Sequence, residues 1–485
     1  MELCDVQHVH LAHEMMRSRA LFVAVIVILL ARLIGAAVLP LSADEAYYWL
    51  WSKHLAFGYH DHPPMIAYAI RAGLSDDEFG VRFVSWFLSA VASWAVWRAG
   101  AILLKSENAG ALACLLFNLT PMVAIEGLAA TPDAPALAAS ALFLFALAKV
   151  EQTNDGRWWL AAGVAAGLGL LSKYTIFFAG AGAFAWLLIN ARARRWWFTP
   201  WPYAAVLIAL ILFAPNLWWN ETHHWETFAL QFGRVGTGQF TLRYIAEFLG
   251  AQLGLATPFI FALGAIGLFA RKRKSVLAQA LIWPALIYFV FHAMHDRVQG
   301  NWPSFLYPAF AILAAQTATA DWSGRIARLC GAAAIPFAAI CLAALYAQAI
   351  FNVVPLGRAD PFERLMGFGV KKMGDDIAAR AHADHVLTAD YETAAWVAFY
   401  FPHTTAIDLG EDERWQDWRE ADATDLAQPM FYLAPPKRDL HALIAQHFAK
   451  VEPCGEVPRL RGNIVIERYT LYCVSEPKDV AGRVL

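Results

Sequence analysis

Apolar residues fill the first 352 positions in blocks too long for strands and too uniformly apolar for the surface helices of a soluble protein. A helix needs about 20 such residues to cross a hydrocarbon layer of about 30 Å. Eleven spans are read, near 21–40, 82–104, 109–126, 134–150, 158–172, 174–190, 201–217, 244–270, 276–293, 303–319 and 330–352. The stretch 158–190 is divided because Ser172, Lys173 and Tyr174 interrupt its apolar run. Beyond 352 the pattern changes. Strand-like pieces at 386–389, 404–409 and 429–434 alternate with amphipathic stretches at 391–401 and 439–448, and NIVIERYTLYCV alternates with period two. The expected fold class is an α-helical polytopic membrane protein of about eleven transmembrane helices, residues 1–352, followed by a soluble α/β domain, residues 353–485.

Charge supports the same division. Residues 1–352 hold 23 Lys and Arg and 19 Asp and Glu, and the shorter remainder holds 15 and 21. Over the whole chain 59% of residues are hydrophobic and 16% charged, against ~25% charged in an average soluble domain. That excludes disorder. The near balance of 38 basic and 40 acidic residues leaves no strong field for a polyanion, so no nucleic-acid partner is expected. Six Cys without a CxxC pair make neither a disulfide scaffold nor a structural zinc site. Cys454 and Cys473 are the Cys of the tail and could pair across neighbouring strands. Cys114, Cys330 and Cys341 read as small packing residues within spans.

The first span, LFVAVIVILLARLIGAAVLP, follows Arg17 and Arg19 and is long enough to cross. It is expected to be an uncleaved signal anchor. With the N-terminus in the cytoplasm, 14 of the 23 cations fall in cytoplasmic connections, among them the runs RARR and RKRK. An odd span number then puts the tail outside, on the same side as the outward loops.

The outer face gathers the polar chemistry. Asp44 and Glu45 follow the first span directly, then Tyr47, Tyr48, Trp49 and Trp51, then His60, Asp61 and His62 before Pro63-Pro64. An interfacial helix with an aromatic belt explains the aromatics but not the acidic pair or the His-Asp-His cluster. Glu126 and Asp133 stand on the same face, and acidic groups at membrane depth are costly and usually functional. Asp133 could instead cap its helix. Lys173, Arg234, Arg243, His292, His295 and Arg297 add cations there. Carboxylates and cations on one membrane face suit an anionic lipid headgroup. His60, Asp61 and His62 are weak candidates for a divalent metal; no other cofactor is indicated, and no P-loop, GxGxxG or GxSxG stands in a suitable context.

These stretches resemble a known superfamily. DEAYYWLW…YHDHPP, TPDAP, LGLLSKYT and NWPSFLYPAFAILAA are similar, in order, to the GT-C glycosyltransferases, in the bacterial branch related to protein mannosyltransferases and the lipid A aminoarabinose transferase. The resemblance covers residues 21–352 well and the tail loosely. It implies a GT-C-like fold and an inverting transfer of one sugar from a polyprenyl-phosphate donor to a periplasmic-side acceptor, a glycolipid such as lipid A or lipopolysaccharide. By resemblance Asp44 is the catalytic base and Asp133 the second acidic position. Lys173 and His62 would hold the phosphate, Glu45 and Asp133 would orient acceptor or sugar, and Tyr47, Tyr48 and Trp49 would pack on sugar or isoprenoid. Asp61, Arg234 and Arg297 complete the candidate binding residues. The chain departs from that branch at Tyr47-Tyr48, where the branch carries Arg-Tyr, and at His62, where it carries Lys. A protein O-mannosyltransferase is the alternative within the same chemistry. A transporter or flippase is the rival class, opposed by the lack of an internal repeat and by charges clustered at one face.

Overall fold

In the computed structural model, residues 2–233, 238–270, 275–321, 324–380, 384–401, 403–416, 418–478 and 482–485 are described, with side chains from Ser18 onward apart from Ala423. The chain is a multi-pass, mostly helical membrane protein with a C-terminal α/β portion. Among the described residues six helices are long and apolar enough to cross a bilayer: Ser18–Val38, Glu78–Leu104, Asp133–Thr153, Trp201–Thr222, Val276–Ala293 and Arg325–Phe351. A seventh span is possible in the pair Arg243–Ala256 and Pro258–Phe269, which is bent by 111°. The eleven spans expected from hydropathy are therefore not confirmed as a count.

The reason lies in local breaks that a hydropathy window averages away. Thr257 adopts φ +65°, and Pro258 has no N–H to continue the helix before it. The 109–126 run is divided into helices Glu107–Leu119 and Pro121–Glu126, with Thr120 capping the second. The division at Ser172–Tyr174 is present: helix Arg157–Leu170 ends, Tyr174–Ile176 forms a 3₁₀ turn, and helix Phe177–Ile189 follows. The RKRK run, residues 271–274, lies outside the described residues.

Two compact units are formed. The first comprises Met1–Ala37, Phe57–Ala69 and Arg82–Tyr346; the second comprises Val38–Ala56, Ile70–Val81 and Ala347–Leu485. The composition break at 352 falls close to the start of the last segment, but a linear division cannot represent the two earlier segments that join it.

The first unit has one continuous core. Ala and Leu dominate it, and Trp159 packs in it against Trp186 and Trp196. Small residues let its helices approach closely. A Cβ at Gly163 would stand 2.5 Å from the Ala205 carbonyl oxygen.

The second unit is built on a six-stranded sheet of β1 (His385–Thr388), β2 (Thr405–Asp408), β3 (Met430–Ala434), β4 (Phe448–Arg461), β5 (Ile464–Pro477) and β6 (Arg483–Val484), in the order β4-β5-β3-β1-β2-β6. β1 runs parallel to β2 and β3, and the outer pairings are antiparallel. Cys454 and Cys473 form a disulfide between β4 and β5, with their Cα atoms 5.7 Å apart. Leu387, Ile407, Tyr432, Ile444 and Phe448 are in the core of this sheet. Buried Asp408 accepts from the Thr388 hydroxyl, Trp415 Nε1 and Gly410 N. Burial, with Asp390 nearby, nevertheless raises its pKa to about 8.

Candidate functional site

The first unit carries a buried polar network. Lys173 follows a tight turn in which the N–H groups of Ser172 and Lys173 both bond to Gly169 O, at 2.9 and 2.8 Å. Gly169 is needed there, since a Cβ would lie 2.8 Å from Ile176 Cγ2. The turn aims Lys173 Nζ at Asp133, 2.8 Å from each carboxylate oxygen. Asn301 Nδ2 donates to Asp133 Oδ2 at 2.9 Å and Ser304 Oγ to Oδ1 at 2.7 Å. The Ser304–Leu306 turn is itself pinned, because Ser140 Oγ donates to Phe305 O at 2.6 Å. Pro132 stands at the cap position and Asp133 in the first turn of the helix, where its carboxylate is taken up by Lys173, Asn301 and Ser304. Glu126 is buried and accepts from Thr131 Oγ1 at 3.0 Å.

A cavity of about 180 Å³ opens beside Lys173. His62 and Gln231 add polar atoms to its wall, and Tyr174, Phe232, Tyr288 and Trp302 make it aromatic. The YHDHPP segment reaches this cavity because helix Glu226–Phe232 holds its backbone. Thr227 Oγ1 donates to Tyr59 O at 2.8 Å and Gln231 Nε2 to Asp61 O at 2.8 Å. Gly58 allows close approach to Trp219, whose ring a Cβ would meet at 2.4 Å. Met65 N donates to Leu171 O at 3.0 Å and so couples the Pro-Pro segment to the Lys173 turn.

His60 Nδ1 lies 3.4 Å from Glu226 Oε2. Among the described residues no group of three or more His, Cys, Asp or Glu is arranged to hold a metal ion. Arg297 pairs with Glu247 at 3.2 Å and is largely exposed; it is not among the cavity's lining residues. Arg234 lies outside the described residues.

Asp44 and Glu45 belong to the second unit, on helix Ala43–Lys53. Glu45 is buried and closes a capping box: Ser42 N donates to Glu45 Oε2 at 2.9 Å, and Glu45 N donates to Ser42 Oγ at 3.2 Å. This places Glu45 at the helix terminus, where its carboxylate serves the cap. Tyr47 and Tyr48 are buried, at 1% and 7% exposure. Tyr47 packs against Trp51, Tyr391 and Trp415, and Tyr48 against Trp51. In this structure both rings are packed among aromatic side chains of the second unit. Trp49 donates to Asp76 Oδ1 at 3.3 Å and meets Phe399 edge-on. Asp44 Oδ1 accepts from the Tyr391 hydroxyl at 3.1 Å.

Sequence reasoning therefore singled out Asp133 and Lys173, in separate roles and without pairing them, and missed three donors. Asn301 and Ser304 stand in the NWPS stretch, whose polar side chains were the available signal. Tyr391 stands in a stretch that reads simply as an amphipathic helix.

Residues 61–219 match the model of the dolichyl-phosphate-mannose-protein mannosyltransferase family. Two curated proteins of Rhizobium johnstonii are similar. The lipid A galacturonosyltransferase RgtD is 29% identical over 301 residues, 58% of this chain and 61% of that protein. The lipopolysaccharide core galacturonosyltransferase RgtA is 29% identical over 191 residues, 38% of each chain. The matches thus span less than two thirds of either relative. ArnT from Cupriavidus metallidurans, solved in the apo state and bound to undecaprenyl phosphate, has the same fold. Its TM-score is 0.62 at 15% identity, covering 93% of this chain and 97% of ArnT. Family match and fold together bear out the resemblance to the GT-C glycosyltransferases.

Proposed function

We propose that the chain moves a single sugar from a polyprenyl-phosphate carrier to a glycolipid acceptor, lipid A or another lipopolysaccharide component, on the periplasmic side of a bacterial inner membrane. The observation that carries this reading is the cavity at Lys173. It joins a charged, hydrogen-bonded floor to aromatic walls, which suits a phosphate with an isoprenoid tail. Asp133 takes two of the three donors of the Lys173 ammonium, so Lys173 serves phosphate and carboxylate together and His62 supplies a second contact. The named activities of RgtD and RgtA support galacturonic acid as the sugar. The Cys454–Cys473 disulfide supports an oxidising compartment for the tail, as does the cytoplasmic excess of Lys and Arg in the connections.

A phosphate leaves readily, so the reaction asks for a base on the attacking hydroxyl and for positive charge near the leaving group. Asp44 accepts the hydroxyl proton. The acceptor oxygen forms a bond to the anomeric carbon while the bond from that carbon to the phosphate oxygen breaks on the opposite face. The carrier phosphate leaves with the electron pair, and configuration inverts.

Mass spectrometry of envelope glycolipids, with and without the protein, tests the acceptor and the sugar together. A missing uronic acid on lipid A or core is expected in cells lacking it. A missing hexose on periplasmic proteins instead supports the second reading, a protein acceptor, which the mannosyltransferase family match favours. In a transfer assay with galacturonosyl undecaprenyl phosphate, Asp44→Asn should lower the rate by roughly 100-fold or more with normal membrane insertion. Retained activity removes Asp44 from the role, and a product of retained configuration removes the single displacement.

A further inference from the structure

In the second unit the Asp44 carboxylate is met by a side chain from the C-terminal domain. Tyr391 begins helix Tyr391–Tyr400, capped by Asp390, whose Oδ1 accepts from Thr393 N at 2.9 Å. Its hydroxyl donates to Asp44 Oδ1 at 3.1 Å. The same helix grips the residues just ahead of Asp44. Leu41 N donates to the Tyr400 hydroxyl at 2.6 Å, and Trp396 Nε1 donates to Leu41 O at 3.3 Å. Both ends of one tail helix thus hold the segment that bears the carboxylate.

Tyr391 is in turn held from behind. Its backbone N donates to Glu411 Oε2 at 3.1 Å, and Glu411 is paired with Arg414 at 3.3 Å and Arg438 at 2.8 Å. The Arg414 guanidinium lies over the Tyr391 ring, 4.2 Å from its centre. A cation on the ring face draws electron density from the phenol and makes its O–H a better donor. Burial, with the charges of Asp44 and Glu392 close by, raises the Tyr391 pKa, so the hydroxyl keeps its proton and stays a donor.

We propose that Tyr391 is a positioning residue for Asp44: it fixes one carboxylate oxygen by a charge-assisted hydrogen bond and steadies the ionised form. The C-terminal domain then takes part in the reaction through the base, beyond any part in acceptor binding. This rests on the reading of Asp44 as the base.

Tyr391→Phe in the full-length protein keeps the ring and removes the bond. A donor to the charged form lowers a carboxyl pKa, so its loss raises that of Asp44. In lipid nanodiscs, the infrared carboxyl band that Asp44→Asn abolishes should titrate about one pH unit higher in Tyr391→Phe than in the wild type. This readout needs no substrate, so it fails separately from the proposed reaction. In the transfer assay with galacturonosyl undecaprenyl phosphate, the acid limb of kcat/KM should move up by the same amount. The rate constant kcat should fall about tenfold with the donor KM held. An unmoved titration midpoint, or no Asp44 band to follow, overturns the inference. So does a Tyr391→Phe enzyme that loses only thermal stability. Full activity in Asp44→Asn overturns it together with the base assignment.

Discussion

A carboxylate taken out of water must find donors, and Asp133 has them in Lys173, Asn301 and Ser304. The pair was legible in part. An acidic residue and a lysine at breaks in apolar runs stand out, whereas their mutual approach depends on the turn at Gly169. Breaking a buried pair from one side costs about 3–5 kcal/mol, because the remaining charge is uncompensated. Lys173→Ala should therefore destabilise the protein by about that much, measured by thermal unfolding in detergent. Adding Asp133→Asn should recover most of the loss. If Lys173 also contacts the carrier phosphate, the double variant will be stable and still inactive in transfer; activity restored with stability would leave Lys173 a structural role alone.

At the scale of the element, helix Ala43–Lys53 shows a local code overlooked in favour of chemistry. Ser42 and Glu45 have the S-x-x-E spacing of a capping box, and both reciprocal bonds form. Glu45→Ala should cost about 1 kcal/mol, whereas Glu45→Gln, which keeps an acceptor for Ser42 N, should retain stability and transfer. A large loss of kcat in Glu45→Gln with unchanged unfolding would return Glu45 to the reaction. Strand β4 was hidden for the opposite reason. Pro453, Gly455 and Pro458 lower its strand signal, but β4 is an edge strand with a register shift between Pro453 and Gly455. Missing donors and bulges are tolerated at such an edge. Strands β1, β2 and β3 were legible because each is a short, largely buried run with apolar residues at its centre.

For the molecule as a whole, composition located two solvents along the chain but not the two units. Segments 38–56 and 70–81 join the tail through contacts such as Tyr400 with Leu41, separated by 359 positions. The orientation of the second unit is open to a direct test. Cys454 is exposed and bonded to Cys473, so Cys473→Ser frees its thiol. An impermeant maleimide added to spheroplasts should label Cys454 without lysis. Labelling that requires lysis would reverse the proposed topology.

Transfer from water to hydrocarbon is a sum over neighbouring residues. For that reason the sequence alone determined the membrane class, the α/β tail and the stretches rich in chemical groups. Which group faces which is not such a sum. The Lys173–Asp133 pair, the burial of Tyr47 and the bond from Tyr391 to Asp44 each join residues far apart in the chain. Only packing in three dimensions, with its close approaches and loop closures, decided them.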